Sequence, residues 1–277
     1  MAVVIITGAS SGIGYESARM LALQGHKVYA GARRVEKMEP LKQAGVVPMA
    51  LDVTDEDSVR RFVDTVLERE RRIDVLVNNA GYGYFGAIEN VSLEEARRQL
   101  DVNVFGLAAL TRAVIPTMRR QGSGRIINTS SVAGRMTLLY GGWYHVSKYS
   151  VEAFSDCLRA ELQPFGIDVV KIQPGAIGTE WGIIAARHLA ESSQGTAYEK
   201  TASREAYWMD FIYRTRYMSH PSVVSKAISR AVNSRHPRTR YAIGLGSWSL
   251  LFWHAVLPAR WWDALVRKLG ALPERKA

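Results

Sequence analysis

Short apolar runs alternate along the chain with stretches of helical spacing. The segment "VVIITG" (3–8) holds four consecutive aliphatic residues and ends at a glycine, the pattern of a strand covered on both faces. Runs of the same kind recur at 26–32 (HKVYAGA), 46–53 (VVPMALDV), 73–79 (IDVLVNN), 124–131 (GRIINTSS) and 167–175 (IDVVKIQPG), and "RYAIG" (240–244) adds a seventh strand. Between them lie helical patterns. Residues 15–25 place Ala18, Leu21 and Ala22 on one face and stop at Gly25. Residues 55–70 are amphipathic and open with acids, as the helix dipole prefers. A long helix is expected over 92–122, kinked or broken at Pro116, and another over 144–166. This alternation predicts an α/β fold, a doubly wound parallel sheet with helices on both faces. Residues 180–220, rich in Ala, Ser, Tyr, Trp and Arg, break the rhythm and carry no strand, which suggests a substrate loop or lid. With no linker, repeat or low-complexity tract, residues 1–277 read as one domain.

Composition narrows this only slightly. Hydrophobic residues make up 47% of the 277 and charged residues 22%, an ordinary globular balance. The single cysteine, Cys157, excludes an internal disulfide and is expected to pack among Phe154, Leu158 and Leu162 as a small apolar residue. No histidine pair has zinc-ligand spacing, so no metal site is expected. The start "MAVVIITGAS" has no basic segment and no small-residue cleavage site, so a signal peptide is not expected and the compartment reads as cytoplasmic. The net charge is +10, yet the basic residues are scattered, with doublets such as Arg33-Arg34 and Arg71-Arg72 and no basic tail. That reads as a solvated surface rather than a nucleic-acid interface.

Candidate chemistry begins at "TGASSGIG" (7–14), where the first strand meets the first helix. Gly8, Gly12 and Gly14 permit a sharp turn and a close approach of backbone N–H groups to phosphate, and the positive helix end points to the same place. The spacing differs from the usual G-x-G-x-x-G fingerprint. Dinucleotide folds that bind NAD put an acid near the end of strand two, to meet the ribose 2′-hydroxyl. Here Ala32 stands there and Arg33-Arg34 follow. A guanidinium pairs with a 2′-phosphate, which points to NADP(H); the alternative is that both arginines are merely solvated.

A second signal is "YHVSK" (144–148). Tyr144 and Lys148 stand four apart and share a face if the segment is helical. A free phenol has a pKa of about 10, too high for a proton relay near neutrality. A neighbouring ammonium favours phenolate, so Lys148 is expected to lower the Tyr144 pKa. His145 lies one residue off that face and reads as structural.

Together "TGASSGIG", "NNAG" (78–81), "DVNVFG" (101–106), "TSS" (129–131), "YHVSK" and "PGAIGT" (174–179) resemble, in order and spacing, the short-chain dehydrogenase/reductase family. The resemblance is close over roughly residues 1–180 and only architectural beyond. It implies a Rossmann-type domain with a seven-stranded sheet in the order 3-2-1-4-5-6-7. It implies a catalytic set of Asn103, Ser131, Tyr144 and Lys148. Ser131 keeps the family's interval of thirteen residues to the tyrosine, with Ser130 as the competing candidate. It further implies cofactor contacts from Gly8, Ser10, Ser11, Gly12, Ile13 and Gly14 at the phosphates. Asp52 and Val53 would meet the adenine, Asn79, Ala80 and Gly81 the ribose, and Pro174, Gly175, Ile177 and Thr179 the nicotinamide. Lys148 would also bond the nicotinamide ribose. Many NADP-preferring members carry a basic residue just before the second loop glycine. Ser11 stands there instead, so the NADP(H) assignment rests on Arg33 and Arg34. In this scheme Ser131 donates to the substrate oxygen and Asn103 holds a water linking Lys148 to solvent. Alternatively, Asn103 only stabilises a helix bend and Ser131 only a turn.

Aromatic and apolar residues flank these motifs, among them Tyr82, Tyr84 and Phe85, Met136 to Trp143, Trp181, and Tyr207 to Tyr213. They suggest a cleft for a hydrophobic ketone, aldehyde or secondary alcohol, such as a steroid, retinoid or lipid. The stretch 245–277 is unusually apolar, but the run from Leu245 to Leu257 is too short to span a bilayer. It fits a membrane surface, a partner subunit or a cover over the cleft. The expected protein is thus an NADP(H)-dependent carbonyl reductase or alcohol dehydrogenase. By analogy it is a homodimer or homotetramer pairing through helices 92–122 and 144–166. A non-catalytic NADP-binding sensor and a membrane-surface lipid dehydrogenase are the alternatives.

Overall fold

The structure, a computed structural model, describes residues 1–270. Its centre is one parallel sheet of seven strands: β1 (Val3–Thr7), β2 (Lys27–Ala32), β3 (Val47–Ala50), β4 (Val75–Asn78), β5 (Gly124–Thr129), β6 (Ile167–Pro174) and β7 (Arg240–Ile243). Their order is β3-β2-β1-β4-β5-β6-β7, as the motifs imply. Helices α1 (Gly12–Leu23) and α8 (Pro221–Asn233) belong to one face, and α2 (Glu56–Glu70), α4 (Leu107–Gln121) and α5 (Gly142–Leu162) to the other. Strand periodicity divides the core accordingly. On β1, Val4 and Ile6 join the α1/α8 cluster while Val3 and Ile5 join the opposite one. Each such side chain taken wholly from water contributes roughly 1.5–3 kcal/mol.

Chain order reverses at β1, between β2 on one side and β4 on the other. Outward crossovers leave a crevice at the carboxyl ends of these strands, and phosphate loop and active-site motifs all end there. Helix α5 is fixed to the sheet by charge as well as packing. Lys171 of β6, 1% exposed, pairs through Nζ with Glu152 Oε2 at 3.0 Å and Asp156 Oδ2 at 2.7 Å. Gln173 Nε2 donates to Glu152 Oε1 at 2.7 Å. Such a buried group costs much when one partner is removed, so it fixes how α5 lies on β6.

Several details differ from the expected pattern. The helix over 92–122 is not broken at Pro116. Instead α3 (Leu93–Leu100) passes through a π-helical turn at Asp101–Gly106 into α4, which runs on through Pro116. Pro116 and Arg112 are exposed, so the carbonyl that loses its partner faces water. This combined run, Leu93–Gln121, has the length and composition to cross a membrane, yet it lays Leu107, Leu110, Val114 and Met118 onto the fold. Residues 180–220 are not a loop but a helical hairpin, α6 (Glu180–Ser193) and α7 (Glu199–Arg214). Cys157 is exposed, because the buried stripe of α5 runs through Val151, Ser155, Leu158 and Leu162 and leaves position 157 outside it. The apolar tail forms α9 (Ser247–Val256) and α10 (Ala259–Gly270); the last seven residues of the 245–277 segment lie outside the described residues.

Candidate active site

The phosphate loop is shaped by positive φ at Gly8 (67°) and Gly12 (57°) and by close approach at Gly14. A Cβ on Gly14 would overlap the Gly8 carbonyl and lie 2.6 Å from Asn79 Nδ2. One on Gly12 would meet Thr179 Cγ2 at 3.3 Å, so the loop after β6 reaches the phosphate turn. Ser11 precedes α1 in extended conformation and its side chain caps nothing. Ile13, in the first turn of α1, packs against the core, and Ser10 Oγ accepts a 3.4 Å hydrogen bond from Arg34. Burial raises the Asp52 carboxyl, but hydrogen bonds from Thr54 and the charge of Arg33 outweigh it and hold the group below its ordinary value. Of the two exposed arginines, Arg34 is thus the one bonded to the glycine loop.

Thr7, which sequence reasoning did not single out, ties the end of β1 to the segment after β4. Its Oγ1 accepts from Asn79 N at 3.0 Å and Ala80 N at 2.9 Å, while Asn79 Nδ2 donates to Thr7 O at 3.1 Å. A Cβ on Gly8 would come within 2.8 Å of Ala80 Cα, so the glycine loop and the segment after β4 are in contact through backbone. Val53 lies against Gly106 in the π-helical turn. Gly175 is held by its N–H to Ile243 O at 2.8 Å, and Ile177 is buried in the core. These cradles of backbone, free of Cβ atoms, fit a dinucleotide lying across the strand ends.

Tyr144, Lys148 and Ser131 meet at the end of β5. Tyr144 and Lys148 are both buried on α5, with Lys148 Nζ 5.8 Å from the centre of the Tyr144 ring. Nζ donates to Thr129 O at 3.0 Å, a backbone partner invisible to motif reasoning. The Ser131 hydroxyl accepts from Ala133 N at 3.1 Å and donates to Pro174 O at 3.3 Å. Ser130 is buried and its hydroxyl finds no partner among the described residues.

The expected lowering of the phenol by Lys148 is not what the site shows. Burial pushes Tyr144 up, the Ser131 hydroxyl acts the other way, and the phenol stays protonated at neutral pH. The same burial brings the Lys148 ammonium down to about 8, with Glu152 opposing. Desolvation disfavours both charged forms.

Asn103 stands in the π-helical turn. Its Oδ1 accepts from Tyr82 N at 3.0 Å, and Nδ2 donates to Tyr82 O at 2.9 Å and Ser147 Oγ at 3.0 Å. It therefore pins the segment after β4 to α5. A methyl on Gly81 would lie 2.9 Å from Asn103 Oδ1 and 3.7 Å from Lys148 Nζ, so amide and amine converge on that glycine. His145 is structural, as read. Nδ1–H donates to Ala133 O at 2.9 Å and Nε2 accepts from Leu138 N at 2.9 Å, and burial keeps the ring neutral. An aromatic wall closes the far side. Trp181 lies 5.0 Å and Phe85 5.7 Å from the Tyr144 ring, with Tyr213 behind Trp181 at 6.3 Å. Tyr207, Trp208 and Phe211 form a separate cluster on α7, and Met136 turns under α10.

A family model described as short chain dehydrogenase matches residues 2–186. The chain is a short-chain dehydrogenase/reductase. This dehydrogenase/reductase is 35% identical over 263 residues to a probable short-chain type dehydrogenase/reductase, VdlC, of Helicobacter pylori, covering 95% of this chain and 96% of that one. It is 38% identical over 244 residues to 3-ketodihydrosphingosine reductase of Bacteroides thetaiotaomicron, covering 87% of each. Among solved structures it resembles a short-chain dehydrogenase from Streptomyces avermitilis, with TM-score 0.79, 30% identity, and 97% and 94% of the two chains covered. It resembles a serine dehydrogenase complexed with NADP+ (TM-score 0.74, 28% identity, covering 87% and 94%). It also resembles a Burkholderia phymatum member in complex with NAD (TM-score 0.75, 26% identity, covering 86% and 88%). The protein is thus an oxidoreductase of this family with a nicotinamide cofactor.

Proposed function

We propose that the chain reduces the carbonyl group of a hydrophobic, lipid-like ketone or aldehyde, or oxidises the matching secondary alcohol, with NADP(H) as cofactor and Tyr144 as general acid/base. The observation that carries this reading is the buried Tyr144 phenol with the Lys148 amine beside its ring and Ser131 at the end of the neighbouring strand. The dinucleotide supplies or accepts the hydride. Tyr144, held protonated by burial, donates its proton to the carbonyl oxygen, and the Ser131 hydroxyl stabilises charge at that oxygen. Lys148, charged below about pH 8, replenishes the phenol. Asn103 Oδ1 is engaged by one N–H and keeps a lone pair for a water on that route. A non-catalytic sensor would have no use for this proton path.

The aromatic wall and the likeness to a protein named 3-ketodihydrosphingosine reductase support a long-chain substrate. Following NADPH absorbance with ketones of increasing chain length tests this; equal turnover of short polar and long apolar ketones overturns the class. Exposed Leu93, Phe105, Val146 and Tyr149 support pairing of the α3–α4 and α5 faces between copies.

For cofactor choice, Arg34 at Ser10 and Arg33 near Asp52 support a 2′-phosphate. Replacing both by alanine is expected to raise the Kd for NADPH by about 10- to 100-fold and leave NADH nearly unchanged, the worth of charge-assisted phosphate contacts. Parallel changes for both cofactors would mean that the arginines do not read the phosphate. A pH profile tests the proton path. Lys148 carries its charge below about 8, so kcat/KM for reduction is expected to decline as pH rises through that value. In Lys148→Arg the guanidinium stays charged, so the limb disappears even if the plateau is lower. An unchanged limb in that variant assigns it to another group.

A further inference from the structure

Helix α9 carries no Asp, Glu, Lys or Arg, and Ser247 is its one buried residue. Its inner side packs on α10: Leu250 and Leu251, with Leu257 just beyond, surround Trp262 and Val266, and the His254 ring meets Trp262 edge-on at 5.0 Å. Its outer side is equally apolar. Trp248, Phe252 and Val256 follow at four-residue spacing and are 72, 59 and 54% exposed, with Trp253 beside them. On α10, Trp262 and Val266 point inward while Trp261 and Leu265 face outward. A helix bordering water sets a polar face outward; one that is apolar all round is built to be covered.

Charge indicates what covers it. Among the described residues, exposed Arg260, Arg267 and Lys268 accompany this face against a single acid, Asp263, on a chain of net charge +10. A second copy meeting the same face would oppose like charges. An anionic bilayer complements them. Helices of 10 and 12 residues cannot cross a hydrocarbon core of about 30 Å but can lie in the interface, where tryptophan is favoured. We propose that α9 and α10 form an interfacial anchor whose outer aromatic face rests on anionic lipid. The anchor is attached to the site. Trp262 Nε1 donates to Thr137 O at 3.0 Å, and Val132 and Met136 of the loop after Ser131 pack under it. Docking would therefore bring the wall of the cleft to the lipid surface, whatever the substrate.

The test is co-sedimentation of the full chain with vesicles of phosphatidylcholine, with and without phosphatidylglycerol. Two variants accompany it: Trp248→Ser, Phe252→Ser, Trp253→Ser and Trp261→Ser together, and Arg260→Glu, Arg267→Glu and Lys268→Glu together. Binding is expected to favour the anionic vesicles, to weaken with salt, and to fall at least about tenfold in each variant while NADPH binding is retained. Should the aromatic variant not fold, the charge-reversed one decides alone. Two results overturn the anchor: vesicle binding that is absent or equal in all three proteins, or a lipid-free dimer that only the aromatic variant breaks, which would put a second copy on this face.

Discussion

Tyr144→Phe is expected to lower kcat for NADPH-dependent ketone reduction by about a thousandfold, within the span of a positioned general acid. The substitution keeps the ring, so contacts to Trp181 at 5.0 Å and Phe85 at 5.7 Å survive. It removes only the hydroxyl. Ser131 keeps Ala133 N and Pro174 O as partners, so stability should change by no more than about 1 kcal/mol. NADPH binding, read by quenching of intrinsic fluorescence, should be retained. A fall in kcat without a fall in cofactor affinity or melting temperature isolates the proton step. Equal rates in the two proteins would remove the phenol from the chemistry.

Gly14→Ala is expected to damage both stability and cofactor binding. In an ordinary helix this change helps by about 1 kcal/mol. Here the added methyl overlaps the Gly8 carbonyl and presses on Asn79 Nδ2 at 2.6 Å. Neither neighbour can yield. Gly8 N is bonded to Gly31 O at 2.9 Å, and Asn79 is bonded to Thr7 through its main chain at 3.0 Å and its side chain at 3.1 Å. Overpacking of this kind costs about 1–3 kcal/mol, which for a chain of this size lowers the melting temperature by about 3–10 °C. Displacing the loop should also raise the NADPH Kd by about tenfold or more, since it spoils N–H groups aimed at phosphate. Calorimetry and a binding titration read the two effects. A stabilised protein with unchanged affinity would show that the loop does not require a bare glycine there.

Much of this architecture was legible in the amino-acid order. Strands such as Val3–Thr7 are apolar on both faces, and the position of each motif at a strand end fixed where the crevice would lie. Three features were not legible. The π-helical turn at Asp101–Gly106 leaves no mark in periodicity, since Pro116 is a stronger local signal than one widened turn. Helix α8 has Val224, Ile228 and Val232 spaced for it, but the short polar residues between them mask the stripe. The protonation balance at Tyr144 depends on burial by Trp181, Phe85 and Tyr213, residues distant in sequence whose convergence only the fold reveals. Thr7, Ser147 and the Thr129 carbonyl escaped for a related reason, since their roles are hydrogen bonds between separate segments.

The α6–α7 hairpin gives the molecule a division of labour. On the proposed function, the phosphates of the dinucleotide meet main chain at the strand ends, whereas Trp181 and Tyr213, the outer part of the proposed substrate wall, come from one continuous insert between β6 and α8. Selectivity can therefore drift, or be transplanted between relatives as a single cassette, without redrawing the half that holds the coenzyme.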